Sequence, residues 1–284
     1  MTRPRVIVAI GEALLAEYPD REEPAGLALL VPIHAQLLGH VGIPISRLGQ
    51  DDTAERLLAL LQSLQVDASH LQSDPDLPTG RSRSTGLSVS RTKDGRAAFD
   101  ELQWDFDLAD VAQKADAVVY GALARRTGQC RSVIDRFLAE CDSCLRVLDL
   151  TNRADHDEQR TAPTSGMNFA DVVVVDKAAI AAVAPAAIGK PTPDALRELL
   201  RQSDSQVAMW AQPGEPLALY TTDDSWTTNQ PLGDEAREAT VVGLLHGMLS
   251  GWDLREALHL AQRVTQHAIE HRGQPPPAEL LSRC

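Results

Sequence analysis

The chain has 284 residues, with 27 Lys and Arg against 40 Asp and Glu, a formal net charge of −13. The length supports one sizeable core, read as a single domain over 1–284, and the acidic balance with no basic run excludes nucleic acid as a partner. No apolar stretch is long enough to span a bilayer, and the short apolar run after Arg5 has no small-residue cleavage site behind it, so a cytoplasmic protein without a membrane partner is expected.

Arg5 to Ile10, RVIVAI, is a β-branched run suited to a strand buried on both faces. Leu14 and Leu15 continue an extended segment to a turn at Tyr18-Pro19-Asp20. Gly26 to His40 repeats apolar residues at helical spacing despite Pro32, with His34 expected as a core histidine. Ile43 to Leu48 reads as a second strand, and Asp51-Asp52-Thr53 caps the helix TAERLLALLQSLQ. After a Pro-containing loop, Arg83 to Val89 and Ala97 to Leu102 flank Lys93-Asp94-Gly95 and predict a β-hairpin, the lid element of residues 81–104.

From Leu108 strands and helices alternate. Strands are predicted at Ala115 to Tyr120, Leu145 to Leu150, Ala170 to Val175 and Gln206 to Trp210, and helices at Arg131 to Cys141, Ala178 to Ala184 and Thr192 to Gln202. Pro216 to Thr221 reads as a hairpin partner of the strand before it. Asp110 and Asp116 read as solvated helix ends, and Arg125-Arg126 as a solvated loop. Cys141 and Cys144 form a lone C-x-x-C without a second ligand pair. With Cys130 and Cys284 they read as reduced thiols, and no metal-ligating set is expected.

The stretch QPLGDEAREATVVGLLHGMLSG, Gln230 to Gly251, organises the C-terminal part. Asp234 is the expected N-cap, with Glu235 and Glu238 at the positive end of the helix dipole. Val241, Leu244, Leu245 and Met248 form a buried face, and Gly243 and Gly247, four apart, permit a close neighbour. Helix Leu254 to Glu270 follows. Together these patterns predict an α/β fold, a three-layer Rossmann-like, mostly parallel sheet with a small β lid. Ligands in such sheets bind beyond the carboxyl ends of the strands.

In this order the chain resembles the ribokinase-like (PfkB) family of sugar and nucleoside kinases. The resemblance is carried by VIVAIGEALL, LLGHVGIPISRLGQDDTAERLLALLQSLQVDASHL, DPDLPTG, ADAVVYGAL, VLDLTNR, ADVVVVDKAAI and VVGLLHGMLSGWDLREALHLA. It implies ATP as phosphoryl donor with Mg2+, a small sugar or nucleoside as ligand, and homodimers joined through the lids. It also implies a G-A-G-D motif at the start of the organising helix, whose backbone amides hold the migrating phosphoryl charge and whose Asp is the base.

Without gaps that motif falls on Glu235-Ala236-Arg237-Glu238, making Glu238 the base. An insertion of one turn instead places Gly233-Asp234 there, and both registers stay open. The family's sugar-binding Asp falls on Ala16, with Glu17 adjacent. Its G-G motif and Asn fall on Ala25-Gly26 and Leu30. Its D-P-N-x-R segment becomes Asp149-Leu150-Thr151-Asn152-Arg153, keeping the outer two residues. The N-x-x-E segment falls on Asp176-Lys177-Ala178-Ala179, without its Glu. The nucleotide-side T-x-G falls on Ala208-Met209-Trp210, where Trp210 would obstruct a phosphate; Gly214 follows on the same side.

The candidate site residues are therefore Asp234 or Glu238 with Gly233 for catalysis, Glu17, Gly26, Asp149 and Arg153 for substrate, and Asp176, Trp210 and Gly214 for nucleotide. Scaffold positions persist while chemical positions are scattered. The expected function is a sugar-kinase-like protein impaired in catalysis that acts as a binding or regulatory homologue. The alternative is an active ATP-dependent carbohydrate kinase.

Overall fold

The computed structural model describes residues 3–84, 89–91, 96–151, 166–184, 192–233 and 236–283. The chain divides into two compact units. One comprises Val6–Gln36 and His40–Ser143. The other is Cys144–Cys284 with Met1–Arg5 and Leu37–Gly39.

The first unit contains strands β1 (Val6–Ile10), β2 (Leu14–Glu17), β3 (Glu22–Ala25), β4 (Val41–Gly49), β5 (Leu71–Asp74), β6 (Gly80–Ser84), β7 (Val89–Arg91) and β8 (Ala117–Gly121). Its helices are α1 (Leu27–Leu37), α2 (Asp52–Ser63), α3 (Phe106–Lys114) and α4 (Gly128–Glu140). A parallel sheet runs in the order β8-β1-β4-β5. Ile7, Val8, Ala9 and Ile10 are all fully buried, because a strand covered on both faces needs apolar side chains at every position rather than at alternate ones. Strand β4 passes close under α1: a Cβ on Gly42 would lie 2.2 Å from the Pro32 carbonyl oxygen, so only glycine fits there.

A second, smaller sheet has the order β3-β2-β6-β7, with β2 and β6 parallel and the outer pairs antiparallel. It revises the predicted hairpin. The partner of β6 is Val89–Arg91, whereas Ala97 to Leu102, the expected second arm, holds a 3-10 turn at Ala98–Glu101. The Asp100 carboxylate accepts from the Ala97 amide at 2.9 Å and so closes that turn locally, which the alternation of apolar residues did not reveal. The expected turn residues 93–95 lie outside the described residues.

The second unit contains β9 (Leu145–Asp149), β10 (Val172–Val175), β11 (Val207–Trp210), β12 (Pro216–Tyr220) and β13 (Ser225–Pro231), with α5 (Lys177–Val183), α6 (Thr192–Arg201), α7 (Arg237–Leu249) and α8 (Leu254–Glu270). Strands β9, β10 and β11 are parallel, and β12 and β13 add antiparallel strands beyond β11. The polar segment of β13 carried no strand pattern. It is held by backbone pairing and by Thr228, whose hydroxyl accepts from the Leu217 amide at 3.1 Å. Helix α7 begins at Arg237, with Ala236 as a cap that makes no side-chain hydrogen bond. The expected N-cap, Asp234, lies outside the described residues. The close neighbour expected for Gly243 and Gly247 is α8, where Cβ atoms would lie 2.9 Å from Ala261 Cα and 2.7 Å from Ala257 Cβ.

Two polar expectations are corrected. Asp116 is not a solvated helix end; it accepts from the Val6 amide at 2.8 Å. Arg125 is buried and pairs with Asp135, and Arg126 pairs with buried Asp100, so neither arginine lies in a solvated loop.

Candidate functional site

The carboxyl end of β9 and the start of α7 bring together the most unusual chemistry in the second unit. Asp149 is the last residue of β9 and is buried. Its Oδ1 accepts from the Thr151 amide at 2.8 Å and from the Thr151 hydroxyl at 2.6 Å. Thr151 Oγ1 in turn accepts from Arg237 Nη1, in the first turn of α7. Arg237 is itself buried. Burial pushes the Asp149 carboxyl above its ordinary range. The Arg237 cation and the Thr151 bonds oppose that without cancelling it, and the nearby Glu238 charge adds to it. Glu238 is half-buried beside this group.

A helix start is where free N–H groups attract an anion. Here the first turn instead carries a guanidinium that donates to Thr151, next to a buried carboxylate. Thr151 and Arg237 were not singled out in the sequence. Arg237 lies among acidic residues in Asp234-Glu235-Ala236-Arg237-Glu238, a run that reads as a solvated helix start. Arg153 and Asp234 lie outside the described residues. Gly233 faces α8 rather than open space: a Cβ there would lie 2.8 Å from Ile269 Cδ1.

The loops after β10 and β11 form a second cluster. Asp176 caps α5, accepting from the Ala179 amide at 2.7 Å. Lys177 Nζ pairs with Glu215 at 2.5 Å, and its amide donates to Gln212 Oε1 at 3.1 Å. Trp210 ends β11 with its ring buried, and its indole N–H donates to the other oxygen of Glu215 at 3.0 Å. The bond from Lys177 is the main reason the Glu215 carboxyl sits below its ordinary value. Gly214 adopts a positive φ of 76° in the same turn, its amide donating to the Leu232 carbonyl at 2.9 Å. Trp210 and Gly214 thus flank the Glu215 turn that Lys177 reaches, while Asp176 bonds the start of α5, and the Asp176 and Trp210 side chains are engaged by their own chain.

The remaining candidates lie in the first unit. Glu17, on β2, accepts from Arg81 of β6 at 2.8 Å, and Arg81 also donates to Thr53. Ala16 beside it is buried. Gly26 has a φ of 89°, and a Cβ would lie 2.3 Å from the Glu12 carbonyl oxygen. Glu12 also accepts from the Ala28 amide at 3.1 Å, so the start of α1 is satisfied by the chain itself.

The most specific sequence block proves to be a latch. Asp51 caps α2 through the Ala54 amide at 2.9 Å and takes the Thr79 amide on its other oxygen at 2.8 Å. The Gly49 amide donates to Thr79 Oγ1 at 2.9 Å, and a Gly49 Cβ would lie 2.5 Å from the Leu77 carbonyl oxygen. Asp74 accepts from the Asp76 and Leu77 amides and pairs with Arg47 at 2.8 Å. R-L-G-Q-D-D and D-P-D-L-P-T-G are thus joined by the Asp51, Asp74 and Thr79 side chains bonding backbone amides, with the Arg47–Asp74 ion pair beside them. Among the described residues no group of three or more His, Cys, Asp or Glu is placed to hold a metal ion. No described helix is long and apolar enough to cross a membrane.

No family model matches the chain, and no curated protein matches it by sequence. Solved structures match it closely in shape. A fructokinase with bound ATP from Xylella fastidiosa superposes with a TM-score of 0.80 at 17% identity, over 97% of each chain. A PfkB protein from Polaromonas sp. JS666 gives 0.79 at 20% identity, over 98% of this chain and 99% of that one. A putative 2-keto-3-deoxygluconate kinase from Enterococcus faecalis gives 0.80 at 15%, over 98% and 95%. The chain therefore has the ribokinase-like α/β fold, with a mostly parallel sheet and a small β sheet of the lid type, as the sequence patterns implied.

Proposed function

We propose that this ribokinase-like chain is a sugar-kinase-like protein impaired in phosphoryl transfer, which acts as a ligand-binding or regulatory homologue. One observation carries the reading: Arg237, bonded to Thr151 beside buried Asp149, stands at the first turn of α7. That helix start favours the ungapped register, in which Arg237 takes the second glycine of the anion-holding turn and Glu238 the base. An arginine side chain there removes the freedom of a glycine to bring backbone amides onto a phosphoryl group. The chain's own cation–carboxylate cluster fills the place of the transferring group. On the nucleotide side, the Glu215 bonds to Lys177 and Trp210 close a loop that should admit phosphate.

Binding requires fewer exact contacts than transfer. A sugar or nucleoside, or ATP or ADP with or without Mg2+, remains the fitting class of ligand, by analogy with the ATP-bound fructokinase fold. The active alternative has a specific feature in its favour, a half-buried Glu238 in the first helical turn beside a guanidinium. There Glu238 would take the hydroxyl proton and Arg237 would hold the migrating charge.

One experiment separates the two. The purified chain is screened against sugars and nucleosides with ATP and Mg2+ for ADP release, and in parallel for a ligand-induced rise in melting temperature. Ligand-induced stabilisation without turnover is expected. Turnover that falls about a hundredfold or more in Glu238→Gln, the size of effect of a general base, would replace this reading with the active one.

A further inference from the structure

Far from the Asp149 cluster in sequence, α8 ends in His267-Ala268-Ile269-Glu270, and His271 follows as its C-cap. This is the H-x-x-E-H spacing; His271 sits just past the helix with φ −131°, so its approach to His267 is set by the capping turn and not by a shared helix face. The two rings lie 4.8 Å apart between centroids, tilted by 38°. Their backbone is fixed: the His271 amide donates to the His267 carbonyl at 2.8 Å, and the Gln274 amide to the His271 carbonyl at 3.0 Å. His267 Nε2 lies 3.2 Å from the Gln274 carbonyl oxygen. A carbonyl only accepts, so this bond places the ring proton on Nε2 and leaves the Nδ1 lone pair free. Metal-bound imidazoles are held in this way, by donation from the other nitrogen to a backbone carbonyl. Both rings line a polar cleft with Gln262, Gln266 and Asn229. Arg263, on the same helix, directs its guanidinium at the Leu280 and Ser282 carbonyls.

We propose that His267 and His271 form a two-imidazole site for a divalent transition-metal ion, with water completing the coordination. Imidazole suits Zn2+, Ni2+ and Cu2+, and affinity should rise toward Cu2+ in the usual order. The site binds and does not hydrolyse. Among the described residues no third ligand converges on it, and Glu270, the residue that would serve as base, is engaged by Gln266. A bound ion clamps the last turn of α8 to the residue just past its end, so its effect is on stability and is independent of the kinase-like site.

The test uses untagged full-length protein carrying Cys284→Ser, since Cys130, Cys141 and Cys144 are buried and will not compete. Calorimetric titration with Zn2+ is expected to show one saturable site per chain, and Zn2+ to raise the melting temperature in a way that a chelator reverses. His267→Ala and the exposed His271→Gln should each weaken binding by about tenfold or more. His259→Ala, also exposed on α8, should leave it unchanged. Absence of saturable binding in the parent, or binding that persists undiminished when both His267 and His271 are replaced, would overturn the proposal.

Discussion

Position 237 sets a long, permanently charged side chain at a helix start and buries it beside Asp149 and Thr151. Two charges out of water are tolerable only as partners. Arg237→Met should therefore leave Asp149 as an uncompensated buried carboxylate and cost about 3–5 kcal/mol in chemical denaturation, part of which Asp149→Asn in the same chain should recover. A loss no larger than that of an ordinary surface substitution would mean that the cluster is not the unit described. His34 makes a different prediction at the same scale. Burial lowers its pKa from 6.5 to about 4, so the native state keeps the ring neutral where the unfolded chain has already taken up a proton. Stability from this residue is unaffected above pH 6.5 and is withdrawn as the pH falls toward 4, by up to about 3 kcal/mol. Asp149 acts in the opposite sense, because its raised pKa makes the folded chain the better proton acceptor in acid. Melting curves across this range should be flatter for His34→Gln than for the parent.

At the scale of elements, glycine spacing controls the approach of α7 and α8. Replacing Gly247 with Ala gains about 1 kcal/mol of helix propensity. The new methyl, however, would sit 2.7 Å from Ala257 Cβ and 2.8 Å from its Cα, in a backbone that cannot swing aside as a side-chain tip would. Overpacking of that kind costs about 1–3 kcal/mol, so a net loss of stability is expected, larger for Gly247→Val, and is readable as a drop in denaturation midpoint. The helix pair itself was legible, since i, i+4 glycines on an apolar helix mark a close neighbour. The hairpin was legible only in part. Its predicted first arm, Arg83 to Val89, meets only the last two residues of β6 and the first of β7, and the closure of Ala97 to Glu101 depends on Asp100 folding back onto the Ala97 amide, a side-chain bond that leaves no periodicity to detect. Strand β13 was missed for the related reason that a polar edge strand is held by its partner rather than by a buried face.

For the whole molecule, the order β3-β2-β6-β7 leaves the small sheet open, and Pro24 and the charged residues of β3 blunt one edge. Among the described residues no strand lies beyond β7. We propose that edge as the place where a homodimer of the kind the resemblance implies would pair; sedimentation would then find a dimer that Val89→Pro, which removes a backbone donor from β7, weakens. A parent that sediments only as monomer removes the idea. What the amino-acid order determined by itself was the alternation of buried strands and helices and the α2 cap. These rest on local periodicity and on short-range bonds written into neighbouring residues. Tertiary structure alone decided that Arg237 meets Thr151 and Asp149, that Lys177 meets Glu215, that Thr79 bonds Gly49 and Asp51, and that Gly233 faces Ile269. Those contacts join residues far apart in the chain, and no local pattern specifies which distant side chains meet once each element has buried its apolar face.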